Sequence, residues 1–240
     1  MSKQTDLINI PDAITVSGSN VGIGTSSPTL TAGATGVDIY DNSDAQIRLH
    51  NSTTGTTASD GLLISLASDN AGYFYNYENA PVIVGTNNSE RMRIDATGAV
   101  TMPHQPAFLA QPASTQLNVG TSTTVTVVFG GERFDQNADF ASNTFTAPVT
   151  GKYQLSYSLY LTNIDSAATY YEIYIQTSNR AYGFVIDPNF ASDLSYLTLT
   201  GSVLADMDAS DTSYVSLRMQ GGTAQTDIAT PSYFSGYLVA

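Results

Sequence analysis

From Tyr153 onward apolar and polar residues alternate. Tyr153, Leu155, Tyr157, Leu159 and Leu161 fall on one side of an extended segment, and Gln154, Ser156 and Ser158 fall on the other. A period of two predicts a half-buried β-strand. Tyr171, Ile173 and Ile175 repeat the pattern against Tyr170, Glu172 and Tyr174. Further apolar runs cover Val125 to Phe129, Leu197 to Leu204, Val215 to Met219 and Tyr233 to Val239. About eight strands with one apolar face each predict a two-sheet sandwich, most naturally a jelly roll.

Upstream the runs are shorter and closer together. Gln46 to His50, Leu62 to Leu66, Gly72 to Asn76, Val82 to Val84, Met92 to Ile94 and Val100 to Met102 are separated by turn signals such as Asn51-Ser-Thr-Thr-Gly55 and Asn87-Asn-Ser89. This predicts a β meander. Before it, Leu7-Ile-Asn-Ile10, Ala13-Ile-Thr-Val16 and Val21-Gly-Ile-Gly-Thr read as an extended leader too Gly-rich to fold alone. Pro103, Pro106 and Pro112 form the densest proline cluster, and proline disfavours helix and central strand positions. The expected organisation is therefore all-β in three parts. Residues 1–31 form a leader, 32–105 a short β-meander shaft and 106–240 a jelly-roll β-sandwich.

Composition sharpens this picture. The chain has 240 residues, 42% hydrophobic and only 12% charged. Disorder requires low hydrophobicity with high charge density, and exposed helix faces require more Glu, Lys and Arg than are present. Strand surfaces filled by Thr, Ser, Asn and Tyr remain. The net charge of −13 is spread over both halves. No basic stripe exists for nucleic acid or for an anionic membrane surface. No apolar run is long enough for membrane insertion, and no basic-then-apolar signal opens the chain. Cysteine is absent, so disulfides and thiolate chemistry are excluded.

Tyrosine outnumbers phenylalanine by 15 to 9. Tyr160, Tyr170, Tyr174, Tyr233 and Tyr237 fall on the polar side of their strands. A tyrosine half-buried against another subunit satisfies both ring and hydroxyl, so the five predict subunit packing.

Three segments in order resemble the globular head of the first complement component, which belongs with the tumour necrosis factor jelly rolls. They are Phe145-Thr-Ala-Pro-Val-Thr-Gly151-Lys-Tyr153-Gln-Leu155-Ser-Tyr157, then Asp211-Thr-Ser-Tyr-Val215-Ser-Leu217, then Tyr233-Phe-Ser-Gly-Tyr-Leu-Val239. Leu155 stands where that family has an aromatic residue. The resemblance implies a homotrimer used as a recognition head. Asn20-Val-Gly-Ile-Gly-Thr-Ser-Ser-Pro28 and Glu90-Arg-Met-Arg-Ile-Asp-Ala-Thr-Gly-Ala-Val100 resemble segments of bacteriophage tail-fibre and other virion fibre proteins, especially those of marine cyanobacterial phages.

Candidate chemistry is sparse. His50 and His104 are the only imidazoles, which leaves little for a nucleophile–base pair or a histidine-rich zinc site. Enzymatic activity is not expected. Asp206, Asp208 and Asp211 form the densest acidic cluster. Their alternation suits calcium, although an EF-hand would require a glycine and a distal glutamate that this segment lacks. A solvated turn between strands is the better account of them. Val21-Gly-Ile-Gly-Thr lacks the lysine and following helix of a phosphate loop.

The expected function is a trimeric phage fibre or spike. Leu7, Ile8 and Ile10 would dock the leader to other virion proteins. Loops carrying Asn163, Asp165, Asn179, Arg180, Tyr182, Asn189, Asp193 and Gln225 would meet a host-surface glycan or outer-membrane protein, because loops on a rigid sandwich carry recognition. The alternatives are a capsid decoration or head-fibre protein without a receptor, and a bacterial surface adhesin.

Overall fold

The computed structural model describes residues 14–32 and 34–240; Leu7, Ile8 and Ile10 lie outside them. Among the described residues every regular element is a strand. The chain divides into two compact units between Thr101 and Met102.

The first unit contains three separate three-stranded sheets. One is formed by β1 (Ile14–Ser17), β2 (Asn20–Ile23) and β3 (Val37–Ile39). Gly18 turns β1 into β2 with a left-handed φ of 62°, a conformation that costs glycine nothing. β3 pairs in parallel with β2, so this sheet crosses the leader–shaft division expected at residue 31. The second is formed by β4 (Ala45–Leu49), β5 (Leu62–Leu66) and β6 (Gly72–Asn76). The third is formed by β7 (Val82–Thr86), β8 (Ser89–Ile94) and β9 (Val100–Thr101).

Register makes each sheet two-faced. Residues paired across strands share a face, which aligns Val16, Val21 and Val37 with Ile14, Ile23 and Ile39. Ile47, Ile64 and Phe74 line up in the same way, and so do Val82, Ile94 and Val100. In the middle sheet the opposite face holds the buried Leu63, paired with Arg48, whose guanidinium donates to Ala58 O and stands 5.0 Å from the Tyr77 ring.

The second unit is a sandwich of two six-stranded sheets. Its strands are β10 (Ala107–Gln111), β11 (Thr124–Thr126), β12 (Gly131–Asp135), β13 (Phe140–Ala141), β14 (Thr144–Thr146) and β15 (Gly151–Ile164). They continue with β16 (Ala168–Thr177), β17 (Ala181–Ile186), β18 (Leu194–Met207), β19 (Thr212–Gly221), β20 (Asp227–Ile228) and β21 (Tyr233–Leu238). One sheet runs β12-β10-β21-β15-β18 with β20 beside β15; the other runs β13-β14-β19-β16-β17 with β11 beside β19. This is the jelly roll that the alternation predicts.

The core lies between the sheets. Tyr153, Leu155, Tyr157, Leu159 and Leu161 enter it from β15, and Tyr171, Ile173 and Ile175 from β16, as their period of two requires. Phe108 stacks on Phe140 at 5.0 Å and on Phe145 at 4.8 Å, and meets Phe234 edge-on at 5.0 Å. Such pairs add roughly 0.5–1.5 kcal/mol each beyond simple burial. Phe108 belongs to β10, which lies within the proline cluster at the expected domain boundary. Pro106 and Pro112 bracket that strand rather than interrupt it.

Candidate functional site

The strand directions sort the connections into two ends. β15 runs from Gly151 to Ile164 with β18 antiparallel to it, so Gly151 pairs with Met207 at one end and Ile164 with Leu194 at the other. The chain enters at the Gly151 end, where Ala107 lies opposite Tyr237. The far end carries the connections 165–167, 187–193 and 222–226.

At the far end one carboxylate ties three connections together. Asp193 accepts from Ser166 N at 2.9 Å, Ser166 Oγ at 2.7 Å and Gln225 Nε2 at 2.8 Å. The Ser166 hydroxyl, then its amide and the Gln225 amide, pull the Asp193 pKa down to about 2. Asn163, Asp193, Leu194, Ser195 and Gln225 line a shallow depression there of about 240 Å³.

A relay of hydrogen bonds holds this surface from beneath. Asp165 N donates to the Tyr171 hydroxyl at 2.9 Å, which lies 2.7 Å from Thr226 Oγ1, and Thr226 Oγ1 donates to Asn163 O at 3.1 Å. Burial pushes the Tyr171 pKa up. Asp227 accepts from Asn163 Nδ2 at 2.9 Å and from Asn118 N at 2.8 Å.

The eight residues expected to form one contact surface are thus divided. Asn163, Asn189, Asp193 and Gln225 sit at the far end with exposed or half-exposed side chains. Asp165 is at that end but only 3% exposed. Its carboxylate faces inward because Ala167 N, at 2.8 Å, and Thr223 N both donate to it. A buried carboxylate that closes its own turn is not a contact residue. Asn179 and Arg180 lie at the chain-entry end, where Asn179 Nδ2 donates to Asp206 O at 3.0 Å and Arg180 pairs with Asp206 at 2.8 Å. Tyr182 is not a loop residue; it belongs to β17 and reaches Asp206 Oδ1 at 3.5 Å.

The same contacts correct the calcium reading. Asp206 points to Arg180, whereas Asp211 Oδ2 accepts from Asp208 N at 2.8 Å within its own turn. Asp206, Asp208 and Asp211 do not converge, and no cluster of three metal-ligating side chains occurs among the described residues. A depression of about 460 Å³ beside β10 and β12 includes Glu132 and Arg133 but none of the candidate site residues expected from sequence.

The five tyrosines do not share a face. Tyr233 pairs with Ser158 and Tyr237 with Gln154, which puts both with Tyr160 on the outside of one sheet, where Tyr196 stands 5.8 Å from Tyr160. Tyr170 pairs with Gln220 and Tyr174 with Ser216, on the outside of the other sheet. A period of two places a residue inward or outward but does not say on which sheet.

Asn118, Thr226 and Asp227 are not marked by the sequence, and Ser166 is marked only as part of the loop from Asn163 to Ala168. The Asp165-Ser-Ala turn is a recognisable local signal. The bond between Asn118 and Asp227 joins residues 109 apart, and no local pattern announces it.

The C1q domain family matches residues 107–239, which is more than half of the chain. The chain belongs to the C1q domain family. The C1q domain begins with β10 and contains the far-end surface, the relay behind it and both tyrosine faces. Among solved structures, the globular domain of zebrafish complement 1qA protein is 18% identical, covering 57% of this chain and 98% of its own, with a TM-score of 0.43. Murine APRIL is 8% identical, covering 56% of this chain and 99% of its own, also with a TM-score of 0.43. No curated protein matches the chain.

Proposed function

We propose that this chain is a bacteriophage virion structural protein, a homotrimeric tail fibre or spike whose C1q domain contacts the host-cell surface. The supporting observation is the order of parts: small sheets without a substantial core of their own precede a C1q domain whose far-end loops lie opposite the point of chain entry. The resemblance of Asn20 to Pro28 and Glu90 to Val100 to phage fibre segments agrees with that order. Leu7, Ile8 and Ile10 would dock to other virion proteins.

Self-association would use the sheet face carrying Tyr160, Tyr233 and Tyr237, where Tyr237 is 52% exposed. Host contact would use Asn163, Asn189, Asp193 and Gln225. Amide donors beside an ionised carboxylate suit the hydroxyl groups of a surface glycan. The role is binding without catalysis, on a particle exposed to the outside.

Purified protein should block adsorption of the phage that carries it, and antibody should label the tail. Asp193→Ala and Gln225→Ala should weaken blocking, while Asn179→Ala at the other end should not. Labelling on capsid faces or vertices with no blocking would replace this reading with a decoration or head-fibre role.

A further inference from the structure

The first unit buries almost nothing. Leu63 is its only buried hydrophobic residue among those described. Each of its three sheets nevertheless has one face built entirely or almost entirely from apolar side chains, and each of those faces is open. In the first sheet Val16 is 71% exposed and Val37 55%; in the second Phe74 is 57% and Leu66 56%; in the third Val100 is 56%. Twelve large side chains on the three faces are at least a third exposed. They leave on the order of 1,000 Å² of apolar surface in water, against ~800 Å² contributed by each partner of a stable complex and ~300–600 Å² for the largest patch of a typical monomer.

We infer that these three faces are a self-association surface, covered by the same faces of further copies of this chain to form a continuous apolar core along the first unit. Three features favour a second copy over a different partner. The faces recur on three successive sheets, so identical copies offer a like face to each of them. No acidic residue lies on them: Asp38 pairs with Gly22 on the opposite side, Arg48 with Leu63, and Arg93 binds Glu90 at 2.5 Å beside Ile83, while Arg91, at the bulge of β8, reaches Thr86 at the end of the third face. Chains that each carry −13 can therefore meet there without bringing carboxylates together. A surface that supplies most of a unit's burial must also be covered whenever the unit is folded, and another copy is the partner always present. The number of copies, three, rests on the homotrimer proposed above.

The chain contains no cysteine, so single substitutions report proximity without background. Full-length Ile64→Cys and Leu66→Cys place a thiol on the open face of β5, and Gln46→Cys places one on the opposite face of β4. With a short bismaleimide, the first two should each give at least tenfold more covalent dimer on a denaturing gel than Gln46→Cys. Sedimentation of the untreated chain gives the copy number separately. A three-copy mass without Ile64→Cys or Leu66→Cys linkage overturns this inference and leaves the homotrimer standing. Equal linkage from all three positions overturns it as well. A single-copy mass overturns both.

Discussion

The Tyr157 ring lies directly over Gly201: a Cβ at position 201 would fall 2.5 Å from Tyr157 Cε1 and 2.8 Å from its hydroxyl oxygen. The two residues are paired across β15 and β18, and Phe184 meets the same ring edge-on at 5.5 Å. Tyr157 is 1% exposed, so the ring must shift against its packed neighbours to make room. Gly201→Ala should therefore lower stability by about 1–3 kcal/mol, the usual cost of overfilling a packed core. Thermal unfolding at fixed protein concentration measures this, and an unchanged midpoint would mean that the ring has room to move.

Two buried tyrosines should respond oppositely to loss of the hydroxyl. The Tyr157 hydroxyl is buried with no hydrogen-bond partner, and burial pushes its pKa up. Tyr157→Phe removes an unpaired polar group and should leave stability unchanged or raise it by up to ~1 kcal/mol. The Tyr171 hydroxyl instead links Asp165 N to Thr226 Oγ1. Tyr171→Phe leaves both without that partner and should cost about 1–3 kcal/mol. Denaturant unfolding of the two variants side by side gives the comparison; equal effects would contradict the relay.

Chelation should leave the thermal midpoint unchanged, because Asp206 is directed to Arg180 and Asp211 to Asp208 N. Arg180→Ala should be nearly as mild. The pair is over half exposed on both sides, and exposed ion pairs are worth about 0–1 kcal/mol. A midpoint lowered by several degrees on chelation would restore calcium to this turn.

Legibility followed the length of the strands. The alternation through Tyr153 to Leu161 and through Tyr171 to Ile175 placed each of those residues correctly in the core, because a long period-two run has one reading. β10 was lost among prolines: its five residues between Pro106 and Pro112 are too few to show a period against a strong turn signal. The candidate surface was half legible for a topological reason. Loop composition distinguishes exposed segments, but only the antiparallel order of β15, β16, β17 and β18 sends Asn179 to one end and Asp193 to the other. Asp165 lies in a loop, and a loop position reads as a contact position; its burial comes from amides on residues 167 and 223, the second remote in sequence.

The far-end surface should loosen only in strong acid. Asp193 has its pKa lowered from 3.8 to about 2 by the Ser166 hydroxyl first, then the Ser166 amide and Gln225. A carboxylate whose folded pKa lies below its unfolded value stabilises the fold at every pH above the unfolded value, and that contribution is lost as pH falls through the folded one. The tie between Asp193, Ser166 and Gln225 should therefore hold from pH 7 down to near pH 4 and disappear as pH approaches 2. The Asp193 carboxyl resonance, followed by NMR against pH, should titrate with a midpoint near 2. The Ser166 amide signal should shift with the same midpoint, and in Asp193→Asn that shift should vanish. A midpoint close to 3.8 would mean that the Ser166 and Gln225 bonds do not persist in solution, and Asp193 would then be an unrestrained carboxylate at the edge of the depression.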